Sequence, residues 1–364
     1  MKFSLLVPTF HRPAKLARLL NHLVLQIDKS LFDWLDLELI IADGYVDTEL
    51  DVFKNAEVKV CLKKLEKYCK VKVFQHPGAS LSERLYKLAE NASGQFVMLL
   101  GDDDLIILEN CRKLLDQFSD VQTTSTISGR LVNVTGLSPR GLRCDVSERP
   151  YVGYSLDHSS PIVRIAQYFS LNAVGTNALA YSIQSRNLFL RYTELINQDR
   201  FFYGGLEMIH QVMSLISGPV FVSEIPLIFR DFTYLDYKIE SLREAPSTDP
   251  YPYHGSEAVR LITKLIFNST NLSQRESLAF IESILKQSKD LQSTRMRVRD
   301  AQFYPLSVDV ESKYLSSANY VWRMHLNSVY SKRSVRHLRI MQLPGYLALR
   351  KLLSYFKRTF RASV

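Results

Sequence analysis

The first third of the chain contains several short apolar runs, and each is followed by turn-forming or acidic residues. Their lengths are typical of strands buried on both faces, as in a parallel sheet. The runs are Phe3 to Val7, Leu37 to Ala42, Val71 to Phe74 and Phe96 to Leu100. We therefore predict four buried strands in this part of the chain.

Helical spacing of apolar residues follows three of these runs. Pro13 suits a helix start because the first helical N–H has no partner to lose, and leucines follow it at a period of 3.6 residues. Ser80 and Glu83 match a capping box, and a further helix is predicted from Leu105 to Phe118. Strands alternating with helices predict an α/β fold with a mostly parallel sheet.

The pattern after residue 118 is less regular. We predict a strand at Thr123–Val134, a loop at Leu137–His158, and short strands at Val220–Val222 and Leu227–Phe229. Helices are predicted at Pro161–Ser170 and Glu207–Ile216.

Three prolines, at 246, 250 and 252, predict a linker and a domain boundary near residues 235–255. Helical segments follow near 256–267, 273–285 and 313–329. The predicted organisation is a domain at 1–240, with halves 1–118 and 119–240, followed by a mainly helical C-terminal region at 241–364.

Charge changes this picture only at the C-terminus. The chain has 364 residues, of which 46% are hydrophobic, and a net charge of +9. Residues 331–364 hold nine Lys or Arg and no acid, and without them basic and acidic residues are equal in number. This distribution argues against a nucleic-acid-binding body.

The tail at 331–364 has the pattern of a basic amphipathic helix. Leu349, Leu352, Leu353, Phe356 and Phe360 share one face, and Arg350, Lys357, Arg358 and Arg361 share the other. Such a helix can lie on an anionic membrane surface, or pack on the protein's own body with its basic face in solvent. Both interpretations stay open.

Targeting and redox signals favour the cytoplasm. The N-terminal apolar run stops at Pro8, too early for a signal peptide, and no segment has the length of a membrane span. Four cysteines show no paired metal-ligand spacing and are interpreted as free thiols. We expect a cytoplasmic protein, with the inner face of the membrane as an alternative location through the tail.

Three consecutive aspartates, Asp102 to Asp104, follow the fourth predicted strand, while Thr9 and Asp43 follow the first two. Ligands of parallel sheets bind at the carboxyl ends of strands. Adjacent carboxylates repel one another unless a cation or backbone donors offset the repulsion, and Mg²⁺ binds through one or two carboxylates plus substrate phosphates. The alternative is an ordinary solvated helix N-terminus, where aspartate is common.

Two other nucleotide motifs are absent from the sequence. No Gly-x-Gly-x-x-Gly follows the first strand, and no Gly-x-x-x-x-Gly-Lys-Ser/Thr occurs. A dinucleotide Rossmann site and a P-loop ATPase are therefore not supported.

Four segments in order resemble the GT-A glycosyltransferases of the family 2 type. The start Val7-Pro8-Thr9-Phe10-His11-Arg12 resembles that family's V-P-T-x-N-R, with His in place of the usual Asn. The other segments are Leu39-Ile40-Ile41-Ala42-Asp43-Gly44, Pro77-Gly78-Ala79-Ser80 with Arg84, and Gly94 to Asp104, which resembles the approach to a D-x-D motif. Gly101 stands at the first acidic position of that motif.

The resemblance implies roles for particular residues. Thr9 and Asp43 would contact the nucleotide, and Arg84 the base or diphosphate. Asp102 and Asp103 would bind the donor, and Asp103 and Asp104 a divalent Mn²⁺ or Mg²⁺.

The second half of the chain resembles the family less closely, through Gly205-Leu206-Glu207 and the segment ending at Arg230. There the resemblance implies that Glu207 is the general base of an inverting transfer, with Asp199 as the other candidate base and Arg230 as a candidate diphosphate contact. The expected partners are a nucleotide-sugar donor and a saccharide or lipid-linked acceptor, with no nucleic acid.

Two alternative functions are weighed against this one. A non-catalytic module with the same fold would need neither Glu207 nor the acidic run, which is the segment Asp102 to Asp104. A sugar nucleotidyltransferase would need a Gly-rich basic loop after the first strand, which Val7-Pro8-Thr9-Phe10 does not provide.

Overall fold

The computed structural model describes residues 2–27, 36–45, 52–117, 126–138, 141–149, 155–171, 179–197, 203–232 and 257–299. The strands in this part of the chain are β1 (Lys2–Thr9), β2 (Asp36–Asp43), β3 (Lys70–Gln75), β4 (Phe96–Leu99), β5 (Leu105–Ile106), β6 (Thr126–Ser138), β7 (Gly141–Arg149), β8 (Ile183–Ser185) and β9 (Val220–Phe232). Its α-helices are α1 (Pro13–Ile27), α2 (Ala56–Leu65), α3 (Leu81–Asn91), α4 (Leu108–Gln117), α5 (Pro161–Leu171), α6 (Arg186–Asn197), α7 (Tyr203–Ser217), α8 (Glu257–Ser269) and α9 (Gln274–Arg299).

All these strands belong to one mixed sheet, in the order β3-β2-β1-β4-β8-β6-β9-β5, with β7 paired to β6. The first four predicted strands are parallel to one another, as expected from the strand–helix alternation. β8 runs antiparallel to both β4 and β6, and it joins the two halves of the sheet. The predicted α/β fold is therefore confirmed.

Buried side chains cover both faces of the central strands. Along β1, Leu5 and Leu6 pack into opposite cores, and Ile40 and Ile41 do the same along β2. This follows from the two-residue period of a strand, and it explains why these strands are apolar without alternation. Helices α1, α2 and α4 cover one face, and α3 and α5 to α9 contribute to the core on the other.

The register places the carboxyl ends of β1 and β2 side by side, because Thr9 is paired with Asp43. On the other side of β1, Leu6 is paired with Leu99, so β4 ends beside the last residues of β1. The loop after β4 carries the three aspartates. The sheet thereby brings the three candidate segments to one edge.

A buried carboxylate, Glu38, anchors the opposite end of β2. It accepts hydrogen bonds from the Ser4 hydroxyl at 2.7 Å and the Ser93 amide at 2.7 Å, and the Lys72 ammonium lies 2.8 Å away. Burial alone raises the pKa of Glu38, but these partners outweigh burial and lower the pKa to about 2. The charged form therefore ties β1, β2 and β3 to the start of β4.

Replacing Glu38 with Gln is expected to destabilise the fold by about 2 kcal/mol at pH 7, because the buried partners lose a charged acceptor. The folded pKa lies below the ordinary 4.5, so this stabilisation is present above pH 4.5 and is lost as the pH falls toward 2. Urea unfolding of both proteins at several pH values measures the effect. The difference should narrow below pH 4.5, and a difference independent of pH would contradict this role for Glu38.

Helix α7 is the central helix of the second half and packs against α5, α6 and α8. Its buried residues include Met208, Ile209 and Val212. The buried Arg164 of α5 donates to the carbonyl oxygens of Leu215 at 2.8 Å and Ile216 at 3.2 Å. These bonds satisfy carbonyls at the helix end and fix the position of the helix that carries Glu207.

Three predictions of secondary structure were wrong. Leu105 and Ile106 form β5, paired with β9, rather than the first turn of a helix. The segment Leu137–His158, predicted as a loop, contains β7. The two short strands predicted at 220–222 and 227–229 are parts of one long strand, β9, which shifts register against β6.

The C-terminal predictions are tested only in part. Helices α8 and α9 match the predictions for 256–267 and 273–285, although α9 continues to Arg299. The predicted linker, the helix at 313–329 and the basic tail at 331–364 lie outside the described residues. Among the helices that are described, none is both long and apolar enough to cross a membrane.

Candidate functional site

The ends of β1 and β2 are linked to each other and to the acidic run by polar contacts. The Thr9 hydroxyl donates to Asp102 Oδ2 at 2.7 Å. The amide of His11 donates to Asp43 Oδ1 at 3.0 Å, and the amide of Gly44 donates to the Thr9 carbonyl at 3.2 Å. Thr9, Asp43 and Asp102, which the sequence predicted as site residues, are therefore brought together.

The three aspartates differ in environment. Asp102 has no exposed surface and Asp104 is also buried, whereas the Asp103 side chain is 15% exposed. The Asp104 amide donates to the Gly101 carbonyl at 3.1 Å, which closes a tight turn after β4. The alternative of a solvated helix start does not describe this segment, because α4 begins only at Leu108.

Opposing effects act on the pKa of the buried Asp102 carboxyl. Burial raises its pKa above the usual range, and the neighbouring Asp103 carboxylate adds to this rise. The Arg12 guanidinium and the Thr9 hydroxyl oppose it. Arg12 Nε lies 3.0 Å from Asp102 Oδ2, and Arg12 also forms an ion pair with Oδ1. Arg12 is thus the main cation that offsets the burial of this carboxylate.

Three cations at the start of α1 contact the acidic run: Arg12 directly precedes the helix, and Lys15 and Arg18 lie within it. None of them was predicted from the sequence. Arg12 Nη1 lies 3.0 Å and Lys15 Nζ 3.3 Å from Asp103 Oδ2. The Arg18 guanidinium donates to the Asp103 carbonyl oxygen. The three residues are spaced three apart, at and just before the start of the helix that follows β1. This spacing places them on one helix face, and it is the signal in the sequence that indicates them.

The same face of α1 continues into a buried polar network. His22 Nε2 and Gln26 Nε2 lie 2.8 Å and 2.9 Å from the Ile106 carbonyl oxygen, and the Leu108 amide donates to Gln26 Oε1 at 2.9 Å. Burial lowers the pKa of His22 to about 4, so the ring is neutral at pH 7. Helix α1 therefore holds the chain from Asp102 to Leu108.

Arg84 lies at the same edge, on α3. Its Nη1 donates to the Thr9 carbonyl at 2.6 Å, and its guanidinium carbon lies 5.3 Å from the centre of the Phe10 ring. Burial lowers the pKa of Arg84, while the carboxylates of Asp43 and Asp102 oppose the shift. Gly44 is needed here, because a Cβ at that position would stand 2.7 Å from Arg84 Cδ.

An aromatic group borders this edge toward solvent. Phe10 is 47% exposed and packs edge-on against Tyr45, with ring centroids 5.5 Å apart. The His11 ring stacks on Tyr45 at 4.2 Å, and His11 has a positive φ of 47°. Flat apolar surface beside the Asp43 carboxylate suits a planar, hydrogen-bonding heterocycle.

Two carboxylate oxygens converge on Gly101. A Cβ at this position would lie 2.9 Å from both Asp103 Oδ1 and Asp104 Oδ2. No cluster of three or more His, Cys, Asp or Glu side chains suited to a metal is found among the described residues. The arrangement therefore fits a hard divalent cation that takes two protein carboxylates and completes its shell with phosphates and water; it does not fit an all-protein cage.

Replacing Gly101 with Ala is expected to weaken Mn²⁺ binding at least tenfold. The new methyl group would stand within 2.9 Å of both carboxylate oxygens and push them apart. Asp104 is buried, so the melting temperature of the variant is compared with that of the wild type before the affinities are compared. Titration of Mn²⁺ with the nucleotide present measures the affinity, and wild-type affinity in the variant would show that the cation does not bind between these oxygens.

Glu207 lies on another element, α7, and is half-buried. It follows the buried Leu206, whose carbonyl accepts from the Tyr192 hydroxyl at 3.3 Å. The described contacts group Thr9, Asp43, Arg84 and Asp102–Asp104 at the sheet edge; the placement of Glu207 as the base stays a prediction. Asp199 and the Arg230 side chain lie outside the described residues.

Comparison with protein families gives a match for the first part of the chain. Residues 4–155 match the model of glycosyl transferase family 2. This span contains Thr9, Asp43, Arg84 and Asp102–Asp104 but neither Glu207 nor Arg230. Among curated proteins, no sequence matches the chain significantly.

Solved structures of S. aureus TarS are also similar. For its fragment 1–349 the identity is 14% and the TM-score 0.46, over 95% of this chain and 89% of that one. For the same fragment in complex with UDP-GlcNAc the identity is 16% and the TM-score 0.49, with the same coverage. The family match covers residues 4–155. This span contains the strand-end site, the group formed by Thr9, Asp43, Arg84 and Asp102–Asp104 at the ends of β1, β2 and β4. Over this span, which is less than half of the chain, the sequence is similar to glycosyl transferase family 2.

Proposed function

We propose that the chain moves a sugar from a nucleotide diphosphate donor, a UDP-sugar, to a hydroxyl of a saccharide or lipid-linked acceptor, with inversion at the anomeric carbon. The observation that carries this proposal is the strand-end site, in which Thr9, Asp43 and Arg84 meet the buried Asp102 within the span that matches glycosyl transferase family 2. The aromatic surface of the site suits a nucleotide base, and its buried cation suits a diphosphate. Its convergent carboxylates suit a metal ion.

The nucleotide would lie across the ends of β1 and β2. Asp43 accepts from the His11 amide through Oδ1, and a carboxylate has further lone pairs for a base N–H or a ribose hydroxyl. Phe10 offers an exposed ring beside it. Arg84, buried against the Thr9 carbonyl, supports the base or the diphosphate, and Asp102 completes the ribose end of the site.

A divalent Mn²⁺ or Mg²⁺ would be held by Asp103 and Asp104. When bound, such a cation neutralises charge that develops on a diphosphate leaving group. The protein's own part is to hold two carboxylate oxygens on one side of Gly101. Arg12 and α1 fix the chain on which those carboxylates stand.

The transfer itself is a single displacement. The acceptor oxygen forms a bond to the anomeric carbon as the bond from that carbon to the diphosphate oxygen breaks, and the acceptor proton goes to a base. We assign Glu207 to this base, since a half-buried carboxylate at the start of a rigid helix can be both basic and well positioned. The nucleoside diphosphate leaves with the electron pair of the broken bond.

Lipid-linked acceptors would be reached at the inner face of the cell membrane. The support for this is the basic amphipathic pattern at 331–364. In this proposal the chain is cytoplasmic and makes peripheral contact through that segment.

Thermal-shift measurements with nucleoside diphosphates test the donor site. We expect UDP with Mn²⁺ to raise the melting temperature, because a ligand that binds only the folded state stabilises it, and we expect EDTA to reduce the shift. A protein that responds to no nucleoside diphosphate would instead be a non-catalytic module with the same fold.

A further inference from the structure

The two oxygens of the Asp103 carboxylate face different partners. Oδ2 contacts Arg12 Nη1 at 3.0 Å and Lys15 Nζ at 3.3 Å. Oδ1 lies 2.9 Å from the Cβ position at Gly101, where it converges with Asp104 Oδ2. One carboxylate therefore stands between two protein cations on one side and the space suited to a metal ion on the other.

The three cations of α1 differ in what they hold. Arg12 also pairs with the fully buried Asp102, so its loss would leave a buried carboxylate without its main counter-charge. Arg18 donates to the Asp103 backbone carbonyl and so fixes the main chain. Lys15 reaches the Asp103 carboxylate itself, and its side chain is 28% exposed. Of the three, Lys15 can be changed with the least effect on the fold.

We propose that Lys15 is a positioning residue that acts as an internal counter-cation for Asp103, and that it lowers the affinity of the empty site for a divalent metal ion. This inference rests on the proposed function, because it takes Asp103 as a metal ligand. Lys15 holds the carboxylate in place while donor and metal are absent. A metal ion on Oδ1 must then bind beside an existing positive charge.

Electrostatics gives the size of the effect. A divalent ion on Oδ1 would lie roughly 6 Å from the Lys15 ammonium, and in a water-like dielectric this repulsion weakens binding about tenfold. Because the Lys15 side chain is only 28% exposed, the water-like dielectric gives the lower limit of this repulsion. Salt screens the repulsion, so most of the effect should be lost at about 1 M ionic strength.

This arrangement would couple metal binding to the donor. The diphosphate adds negative charge and further oxygen ligands, which offset the repulsion from Lys15. The metal would then bind tightly only together with the nucleotide sugar, so the empty enzyme would hold little metal.

Titration of Mn²⁺ into the 364-residue chain without nucleotide, with free Mn²⁺ measured by electron paramagnetic resonance, tests the proposal. At low ionic strength, Lys15→Gln is expected to bind Mn²⁺ about tenfold more tightly than the wild type. Lys15→Arg keeps the charge and should match the wild type. Arg260→Gln removes a charge from an exposed pair on α8 and controls for the change in net charge.

Lys15→Met, which retains the aliphatic stem, gives the same comparison if the Gln variant melts at a lower temperature. Equal or weaker Mn²⁺ binding by both uncharged variants would overturn the role of Lys15, while the proposed function would stand as long as the wild type binds Mn²⁺ with UDP. A wild type that binds neither Mn²⁺ nor UDP would overturn the proposed function as well. An affinity gain that persists unchanged at 1 M salt would point to a structural rearrangement and also contradict the proposal.

Discussion

Replacing Asp103 with Asn is expected to lower the rate of sugar transfer by at least a hundredfold. The amide keeps the shape of the side chain but removes the charge that a metal–diphosphate complex needs, and electrostatic stabilisation of a leaving group is worth about 10²–10³ in rate. Asp103 is only partly buried, so the fold should survive. Steady-state kinetics with a nucleotide sugar measure the loss, and metal titration should show weaker Mn²⁺ binding.

Asp116→Asn is the matched control for this prediction, because Asp116 lies on α4 in an exposed pair with Arg112. The control should keep wild-type activity and stability. Asp102→Asn is a poorer test, because Asp102 is buried and paired with Arg12, so loss of activity could follow from loss of structure. Full activity in Asp103→Asn would show that the Asp103 carboxylate is not needed for sugar transfer and would contradict its assignment to the site.

Replacing Glu207 with Gln is expected to lower kcat about a thousandfold and to leave donor binding unchanged. General base catalysis contributes roughly 10²–10⁴ in rate, and a glutamine cannot accept the acceptor proton. The donor residues lie at the sheet edge, on other elements, so the thermal shift with UDP and Mn²⁺ should match the wild type. Single-turnover transfer to an acceptor measures the chemical step.

Glu194→Gln on the exposed side of α6 is the control for Glu207. Retained kcat in Glu207→Gln would mean that another group accepts the proton, and Asp199 would be the next residue to replace. Loss of the UDP-dependent thermal shift would instead mean that Glu207 contributes to the donor site or to the position of α7.

The first half of the fold could be predicted from sequence because its signals are local. β1, β2 and β4 are mainly apolar on both faces, because each face is covered by buried side chains. β5 could not be predicted in this way: Leu105 and Ile106 are extended because they pair with Phe229 and Ile228, which are distant in sequence. β7 did carry a signal, the alternation of Leu142, Cys144 and Val146 with polar residues, and it was missed.

In the candidate site, too, some residues could be predicted from local sequence signals and others could not. Thr9, Asp43 and Asp102 meet because they lie at the ends of neighbouring strands, which is a property of parallel sheets. The cations of α1 were missed because the sequence does not show which face of that helix turns toward the acidic run. With Arg12 and Lys15 bound to Asp103, the carboxylates are partly neutralised before any metal binds, which the acidic run alone did not suggest.

Release of nucleoside diphosphate from a panel of nucleotide sugars tests the central claim most directly. The purified 364-residue chain is incubated with each donor in Mn²⁺ or EDTA, alongside Asp103→Asn. The account predicts that UDP is released from a UDP-sugar in Mn²⁺, and that release falls at least a hundredfold in EDTA and in the variant. Release from no donor, or equal release in Mn²⁺ and EDTA, would contradict a metal-dependent nucleotide-sugar transferase built on this site.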